Sequence, residues 1–555
     1  MRLNLFICNF FYNFVCFILQ KIKIMLKRII AISIILLISY HAYSQSIAEQ
    51  SRKFNKLLAF IEALYVDSVD MEKLVEVAIV NMLKEMDPHS IYISKDEVQR
   101  MNEPLEGSFE GIGIQFRIME DTLVVVGVIS GGPSERIGLF NGDRIITVDG
   151  DNIAGVEIQN SDVTSMLRGE KGTRVDIEVV RRGVKGVLDF AIIRDRIPIY
   201  SVDANYIIDG KIGYVKLNRF AKTTDDELDE VFNNFRDNKI KDIILDLSGN
   251  TGGYMDKSIS LADEFLTKDK VIVFTDGQKI SRTDYNSTRR GRFHDGKLIV
   301  IVDEGSASAS EIVSGAIQDW DRGVVLGRRT FGKGLVQRPV TLTDESVVRL
   351  TIAQYYTPTG RPIQKPYECG YDDYIRDISN RWTKGEFISA DSIDFPDSLK
   401  YETLVFKKTI YGGGGIMPDE FIPIDTAQRS EYHIHLLRRG VLFTFISRYV
   451  DNNRTEINEK YPDFETFKNN FVVDKNILEQ INEMAIEEKI YQDSLETATP
   501  EQIKYMENHI KSLVAGDLWE TNNFWQIFNN YNQNYKRALE IITDDKLYNM
   551  YIKGK

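Results

Sequence analysis

Apolar residues change their spacing three times along the chain, and each change marks a different kind of element. From Gln45 to about Pro104 they recur at three and four: Phe54, Leu57, Leu58, Ile61, Leu64 and Tyr65, then Val75, Ala78, Ile79, Met82 and Leu83. That spacing predicts two amphipathic helices, able to pair with each other or with those of a second chain. Asp87-Pro88-His89-Ser90 ends the second, because proline cannot continue a helix. His89, in such a turn, reads as a hydrogen-bonded structural residue rather than a base. From Glu106 to about Asp195 the pattern shortens to strands and turns, among them LVVVGVI (Leu123 to Ile129), a short helix around Ser161 to Leu167, and TRVDIEVVRRG. Alternating strands and helices follow to about residue 425, interrupted by a polar, loop-like segment from about Lys365 to Leu404. From Thr426 the chain is helical, charged and aromatic, with Phe524, Phe528, Tyr531 and Tyr535 on one stripe that reads as core or as a docking face.

Two turns in the alternating region carry candidate chemistry. The strand DIILDL (Asp242 to Leu247) runs into Asp246-Leu-Ser-Gly-Asn-Thr-Gly252-Gly253, followed by a helix predicted over Ser258 to Leu266. Such a glycine-rich turn can hold a phosphate or offer backbone N–H groups to an oxyanion. Neither the Walker nor the Rossmann glycine spacing is present, which favours the second use. Leu298 to Val302 is apolar throughout, as expected of a strand buried on both faces, and GSASAS separates it from a helix predicted over Glu311 to Trp320. A hydroxyl on a sharp strand-to-helix turn is held clear of its own backbone beside free helix N–H groups, which suits a nucleophile. The pattern leaves Ser306, Ser308 and Ser310 open. No histidine lies between Leu298 and Gln337, whereas Lys333 stands between Gly332 and Gly334, so the base suggested is a lysine.

Composition narrows the classes. With 555 residues, several domains are expected; 43% hydrophobic and 27% charged residues suit a globular chain. A formal net charge of −13 and the absence of basic stripes exclude a nucleic-acid surface. Met25-Leu-Lys-Arg, the apolar run IIAISIILLISY and the small residues before Gln45 read as a secretory signal peptide over 1–44, its true start placed at Met25. Membrane anchoring by an uncleaved segment is the alternative. Removing that part leaves Cys369 as the single cysteine, hence no internal disulfide.

Gly111-Ile112-Gly113-Ile114 before a strand, PSERIG opening a helix, and NGDRIITVDG as turn, strand and turn resemble a PDZ domain. Such domains add a peptide as an extra strand while loop amides receive its terminal carboxylate. Gly111 to Ile114 would be that loop, and the implied ligand is a protein C-terminus. Together DPHS, this pattern, DL..N.GG, GSASASEI, QD..R, TFGKG.VQ, YYTP.GR and YGGGGI.PD, in order over roughly 50–425, resemble the C-terminal processing peptidases, tail-specific serine proteases.

The resemblance implies a multidomain α/β chain. It has a helical N-terminal segment (45–105), a PDZ domain (106–195), an α/β serine protease core of ClpP/crotonase type (196–425) and a helical C-terminal domain (426–555). It picks Ser308 as nucleophile, because the family's lysine follows 25 positions later and Lys333 does so, and assigns Gln337 as assisting residue. Asp319 matches a supporting acid of some members, and Arg168 an arginine that couples tail binding to the active site. Gly252 and Ala309 would give the backbone N–H groups of the oxyanion hole. Ser248 and Thr251 stand where the family often has arginine and proline, so the shape of that loop is less constrained. The expected activity is peptide hydrolysis by an exported, periplasmic or extracytoplasmic endopeptidase that recognises apolar C-terminal tails. No cofactor is implied, and a homodimer and an adaptor protein are the partners considered. A non-catalytic PDZ scaffold is the alternative.

Overall fold

The computed structural model describes Met25 and residues 47–119, 121–129, 131–288, 291–490 and 498–554; the expected signal segment lies outside these apart from Met25. Among the described residues no helix is long and apolar enough to cross a membrane. The described residues up to Met82 form a unit by themselves, and those from Leu83 onward a second. The first holds a helix over 47–64 and most of Met71–Lys84, and leaves Leu57, Phe60, Leu64 and Tyr65 more than half exposed.

Within the second unit the PDZ region is a sheet ordered Ile114–Met119, Thr122–Val128, Arg144–Val148, Arg174–Val180, Val187–Ile193, all antiparallel. Arg174–Val180 alternates exposed and buried residue by residue, as a half-buried strand must. Its inward residues join Leu123, Val125, Ile145 and Val163 of the helix Asn160–Leu167 in a separate small core. Ser108–Gly111 pairs with Asp195–Pro198, so the entering and leaving segments are bound together. Ile114–Met119 is an edge strand.

The region expected to form the core, 196–425, is built on a sheet ordered Val202–Ile208, Ile212–Leu217, Asp242–Asp246, Leu298–Val302, Val324–Gly327, Glu420–Phe421; its first pair is antiparallel and the rest parallel. Every residue of Ile212–Leu217 and of Leu298–Val302 is buried, which explains the unbroken apolar run of the second; in the first, buried Lys216 pairs with Asp246 at 3.3 Å. Helices Thr224–Asp237, Met255–Asp263 and Ala309–Asp319 cover one face through Phe232, Leu261 and Ile312. The other face is covered by the last two helices of the chain, Gln533–Thr543 and Asp545–Lys553, through Tyr535, Ala538, Ile541, Ile542 and Tyr548. A second sheet, centred on Val347–Tyr356, adds Ile91–Ile93, Val271–Gly277, Ile280–Asn286 and Leu335–Thr341. Residues 365–404, expected as loop, contain the helices Tyr371–Ile375 and Asp377–Thr383, fixed by burial of Tyr374 and Arg381. Arg381 donates to the carbonyls of Thr330 (3.1 Å) and Arg329 (2.7 Å).

Helices Glu431–Arg438, Val441–Lys460, Phe464–Asn470, Lys475–Glu487 and Pro500–Leu518 share a further core. They also meet the PDZ sheet: the Arg117 guanidinium lies 5.2 Å from the Phe443 ring centroid, and Arg182 bonds Asn452.

Candidate active site

Strand Leu298–Val302 delivers the chain into a turn organised by Asp303, whose Oδ1 accepts the N–H groups of Gly305 (3.0 Å) and Ser306 (3.1 Å) and, across the site, of Gly249 (2.8 Å). The three serines then part company. Ser306 and Ser310 are fully buried and donate their hydroxyls to the carbonyls of Leu247 (2.8 Å) and Asn250 (2.9 Å). Ser308 is only partly buried and sits at φ 56°, ψ −112°, immediately before the helix Ala309–Asp319. Positive φ is strained for a residue with a Cβ and is characteristic of a nucleophile turn.

Gly252 closes the other side at φ 100°; a Cβ there would lie 2.7 Å from Cβ of Ser308 and 3.0 Å from the Ala309 nitrogen. Only glycine permits that approach. Its N–H, however, donates to Asn250 Oδ1 at 2.9 Å, so the expected Gly252 donor is engaged inside its own loop. Asn250, between Gly249 and Thr251, turns its side chain back on the loop as asparagine does in tight turns.

Lys333 follows strand Val324–Gly327 and precedes Leu335–Thr341. Its Nζ donates to Gln337 Oε1 at 3.1 Å. Burial holds its pKa below the ordinary lysine range, Arg349 adds to this, and Glu311 and Asp87 oppose it. Among the described residues no hydrogen bond joins Ser308 to Lys333. The Tyr355 hydroxyl donates to the Lys333 backbone carbonyl and lies within reach of the Ser308 side chain.

Glu311 ties the two loops together. Its Oε2 accepts the N–H of Ser308 (2.8 Å) and of Lys333 (2.9 Å), and its Oε1 accepts the N–H of Gly332 (2.7 Å) and the Thr330 hydroxyl (2.6 Å). Complete burial nevertheless pushes its pKa up to about 7, against all four donors. Neither Glu311 nor Tyr355 was singled out above. The S-x-x-E spacing of a helix cap was a signal for Glu311, but the spacing does not reach the lysine loop.

Asp319 is not part of this cluster. It pairs with Arg361 at 2.8 Å and accepts the N–H (2.9 Å) and hydroxyl (2.7 Å) of Thr359, anchoring the YYTPTGR turn. In the PDZ region Gly113 has φ 79°, and the carbonyls of Gly113 and Ile112 are held by Ile129 N–H (3.0 Å) and Ser134 N–H (3.1 Å). The loop Gly111–Ile114 thus leads straight into the edge strand. Arg168, at the end of the PDZ helix, pairs with Glu103 at 2.5 Å over the Phe109 ring. Glu103 lies in the helix Lys95–Glu106, whose last residue accepts a hydrogen bond from Tyr254 at 3.3 Å, one position beyond Gly253.

Comparison with known proteins agrees with this arrangement. Residues 211–372 match the model of peptidase family S41, 124–181 that of a PDZ domain, and 36–97 the N-terminal domain of the activating protease CtpB. The chain is 36% identical over 325 residues to a carboxy-terminal-processing protease of Bartonella bacilliformis, covering 58% of this chain and 74% of that one. The chain belongs to the carboxy-terminal processing proteases. A second member, the carboxy-terminal processing protease CtpB of Bacillus subtilis, is 32% identical over 330 residues, 58% of this chain and 68% of that one. Among solved structures, a photosystem II D1 C-terminal processing protease aligns over 55% of this chain and 82% of its own, at 27% identity and a TM-score of 0.33. Residues 432–520 match a family of unknown function. This carboxy-terminal processing protease is therefore a serine-type peptidase with a PDZ domain, an α/β peptidase core and helices at both ends.

Proposed function

We propose that the chain cleaves proteins near apolar C-termini with Ser308 as nucleophile and Lys333 as general base. The observation that carries this is Glu311, one buried carboxylate that accepts the backbone N–H of both residues at 2.8 and 2.9 Å. A lysine serves as base only when neutral, and its burial lowers the cost of losing the proton. Neutral Lys333 takes the Ser308 proton as Oγ attacks the scissile carbonyl, and the ammonium so formed protonates the leaving amine. Water, deprotonated by the same amine, then releases the acyl group. Gln337 holds Nζ through its carbonyl oxygen. The oxyanion is received by the Ala309 N–H; Gly252 joins only if its N–H exchanges Asn250 Oδ1 for the substrate.

The unbonded Ser308 and Lys333 suit a resting enzyme. In this reading a tail adds as a strand to Ile114–Met119, with its carboxylate in the Gly111–Ile114 loop. Displacing Arg168 from Glu103 would relay occupancy through the helix Lys95–Glu106 to Tyr254 and the Gly252 loop. Export to an extracytoplasmic space, and dimerisation through the exposed apolar residues of 47–64, complete the reading; an adaptor would act by presenting substrates.

The test is cleavage of a peptide ending in apolar residues by the full chain. Ser308→Ala and Lys333→Ala are each expected to lower kcat at least about a thousandfold, as losing a nucleophile or its base does elsewhere. Parent-like rates in either variant would refute the assignment. Binding without cleavage by the parent would favour the scaffold reading.

A further inference from the structure

Gln337 is held from its far side by a turn 248 residues earlier in the chain. An amide side chain has two ends of nearly equal shape and opposite character, and only one orientation turns an acceptor toward a lysine. Lys333 Nζ donates to Oε1 at 3.1 Å, while Nε2 donates to the backbone carbonyl of His89. A carbonyl can only accept, so it decides which end of Gln337 faces Lys333.

The turn that presents this carbonyl is itself fixed. Asp87 Oδ1 accepts the N–H groups of His89 and Ser90, each at 2.8 Å, and its Oδ2 accepts the Ser90 hydroxyl at 2.6 Å. The turn is also sewn to the strand beside Gln337. The ladder between Leu335–Thr341 and Val347–Tyr356 shifts register at this point: Val336 faces Ala353, but Gln337 faces Thr351. The extra residue is Ile352, so the bulge lies in the strand opposite Gln337 and bends it locally. Beside the bulge the Thr351 N–H donates to Ser90 Oγ at 3.1 Å, and its hydroxyl to Asp87 Oδ1 at 3.0 Å. Asp87 and Ser90 are 7% and 4% exposed, so these bonds form away from competing water.

From this geometry we infer that Asp87–Ser90 is a positioning element for the base. It orients the Gln337 amide through the His89 carbonyl and, through Asp87 and Ser90, secures Thr351, the residue that faces Gln337 beside the bulge at Ile352. The inference rests on Ser308 and Lys333 being the reacting pair. None of the turn residues touches substrate; they act through Gln337. His89 contributes its backbone, while its ring packs against Phe331 and Tyr374.

The experiment compares kcat, KM and the pH profile of kcat for the full chain and for Asp87→Asn, Thr351→Val and Thr351→Ser, with Lys333→Ala as control. Loss of one orienting bond is expected to lower kcat about tenfold in Asp87→Asn and Thr351→Val, with KM within about twofold. Thr351→Ser, which keeps the hydroxyl, restores most of the rate. In Asp87→Asn the acid limb of the profile moves to lower pH, because a negative charge that favoured protonated Lys333 is gone. A merely structural role would reduce the folded fraction without moving that limb. If Lys333→Ala is inactive while the turn variants match the parent in kcat and profile, this inference alone falls. If Lys333→Ala cleaves like the parent, the reacting pair and this inference fall together. Should Asp87→Asn fail to fold, equal rates in Thr351→Val and Thr351→Ser overturn it.

Discussion

Glu311 shows how much of a two-loop site can depend on one side chain. Its carboxylate meets four donors, yet burial outweighs them and raises its pKa to about 7. The sign for stability follows: the folded state holds this proton more tightly than the unfolded chain. The contribution of Glu311 is therefore full below the ordinary carboxylate range and is lost as pH rises toward about 7. Glu311→Gln keeps the volume but turns an NH2 group toward N–H donors. We expect it to cost about 2–3 kcal/mol in denaturant unfolding, to flatten the pH dependence between about 4.5 and 7, and to lower kcat at least about tenfold. Unchanged unfolding and turnover would mean that the loops hold themselves. Ser308 depends on such support, because its positive φ carries strain of about 1–3 kcal/mol that only the surroundings can maintain.

Among the elements, the helices Glu431–Arg438 and Pro500–Leu518 bring His433 Nε2 to 3.1 Å from His509 Nδ1 inside an aromatic cluster with Tyr505, Phe524 and Phe528. Burial, helped by Arg429 for both and first by His433 for His509, lowers their pKa values to about 4 and about 3. Here the folded state binds fewer protons than the unfolded one. The stability of these helices is complete above about 6.5 and is lost as pH falls through about 4. His509→Gln should flatten the loss of melting temperature over that range, read by helical circular dichroism. What was legible in the chain followed the same division between local and distant causes. The buried strand Leu298–Val302, the glycine turn after Asp246 and the helix bearing Arg168 announce themselves by periodicity and turn chemistry. The helices in residues 365–404 did not, because Tyr374 and Arg381 are buried by groups near Thr330, about fifty residues away. Nor did the engagement of Gly252 by Asn250, or the bulge opposite Gln337, since a sequence shows which groups can bond but not which pairs form.

For the molecule as a whole, the end of the chain is part of the peptidase core. The aromatic stripe at Phe524 to Tyr535 foretold an apolar face but not what it covers; Tyr535 packs edge-on against Tyr214 of the central sheet at 5.3 Å. Ile541→Ala should therefore destabilise the peptidase core itself by about 2–5 kcal/mol, lowering the midpoint of the transition that abolishes activity. A midpoint shift confined to the other C-terminal helices would contradict that packing. The same C-terminal region reaches the PDZ sheet, where Phe443 lies on Arg117 of the edge strand Ile114–Met119. A peptide added to that edge, as proposed, and the helix bearing Phe443 would thus act on the same strand, the helix at Arg117. Any energetic link between the two is symmetric: a grip that weakens the hold on a peptide must itself be weakened by the peptide, and by the same factor.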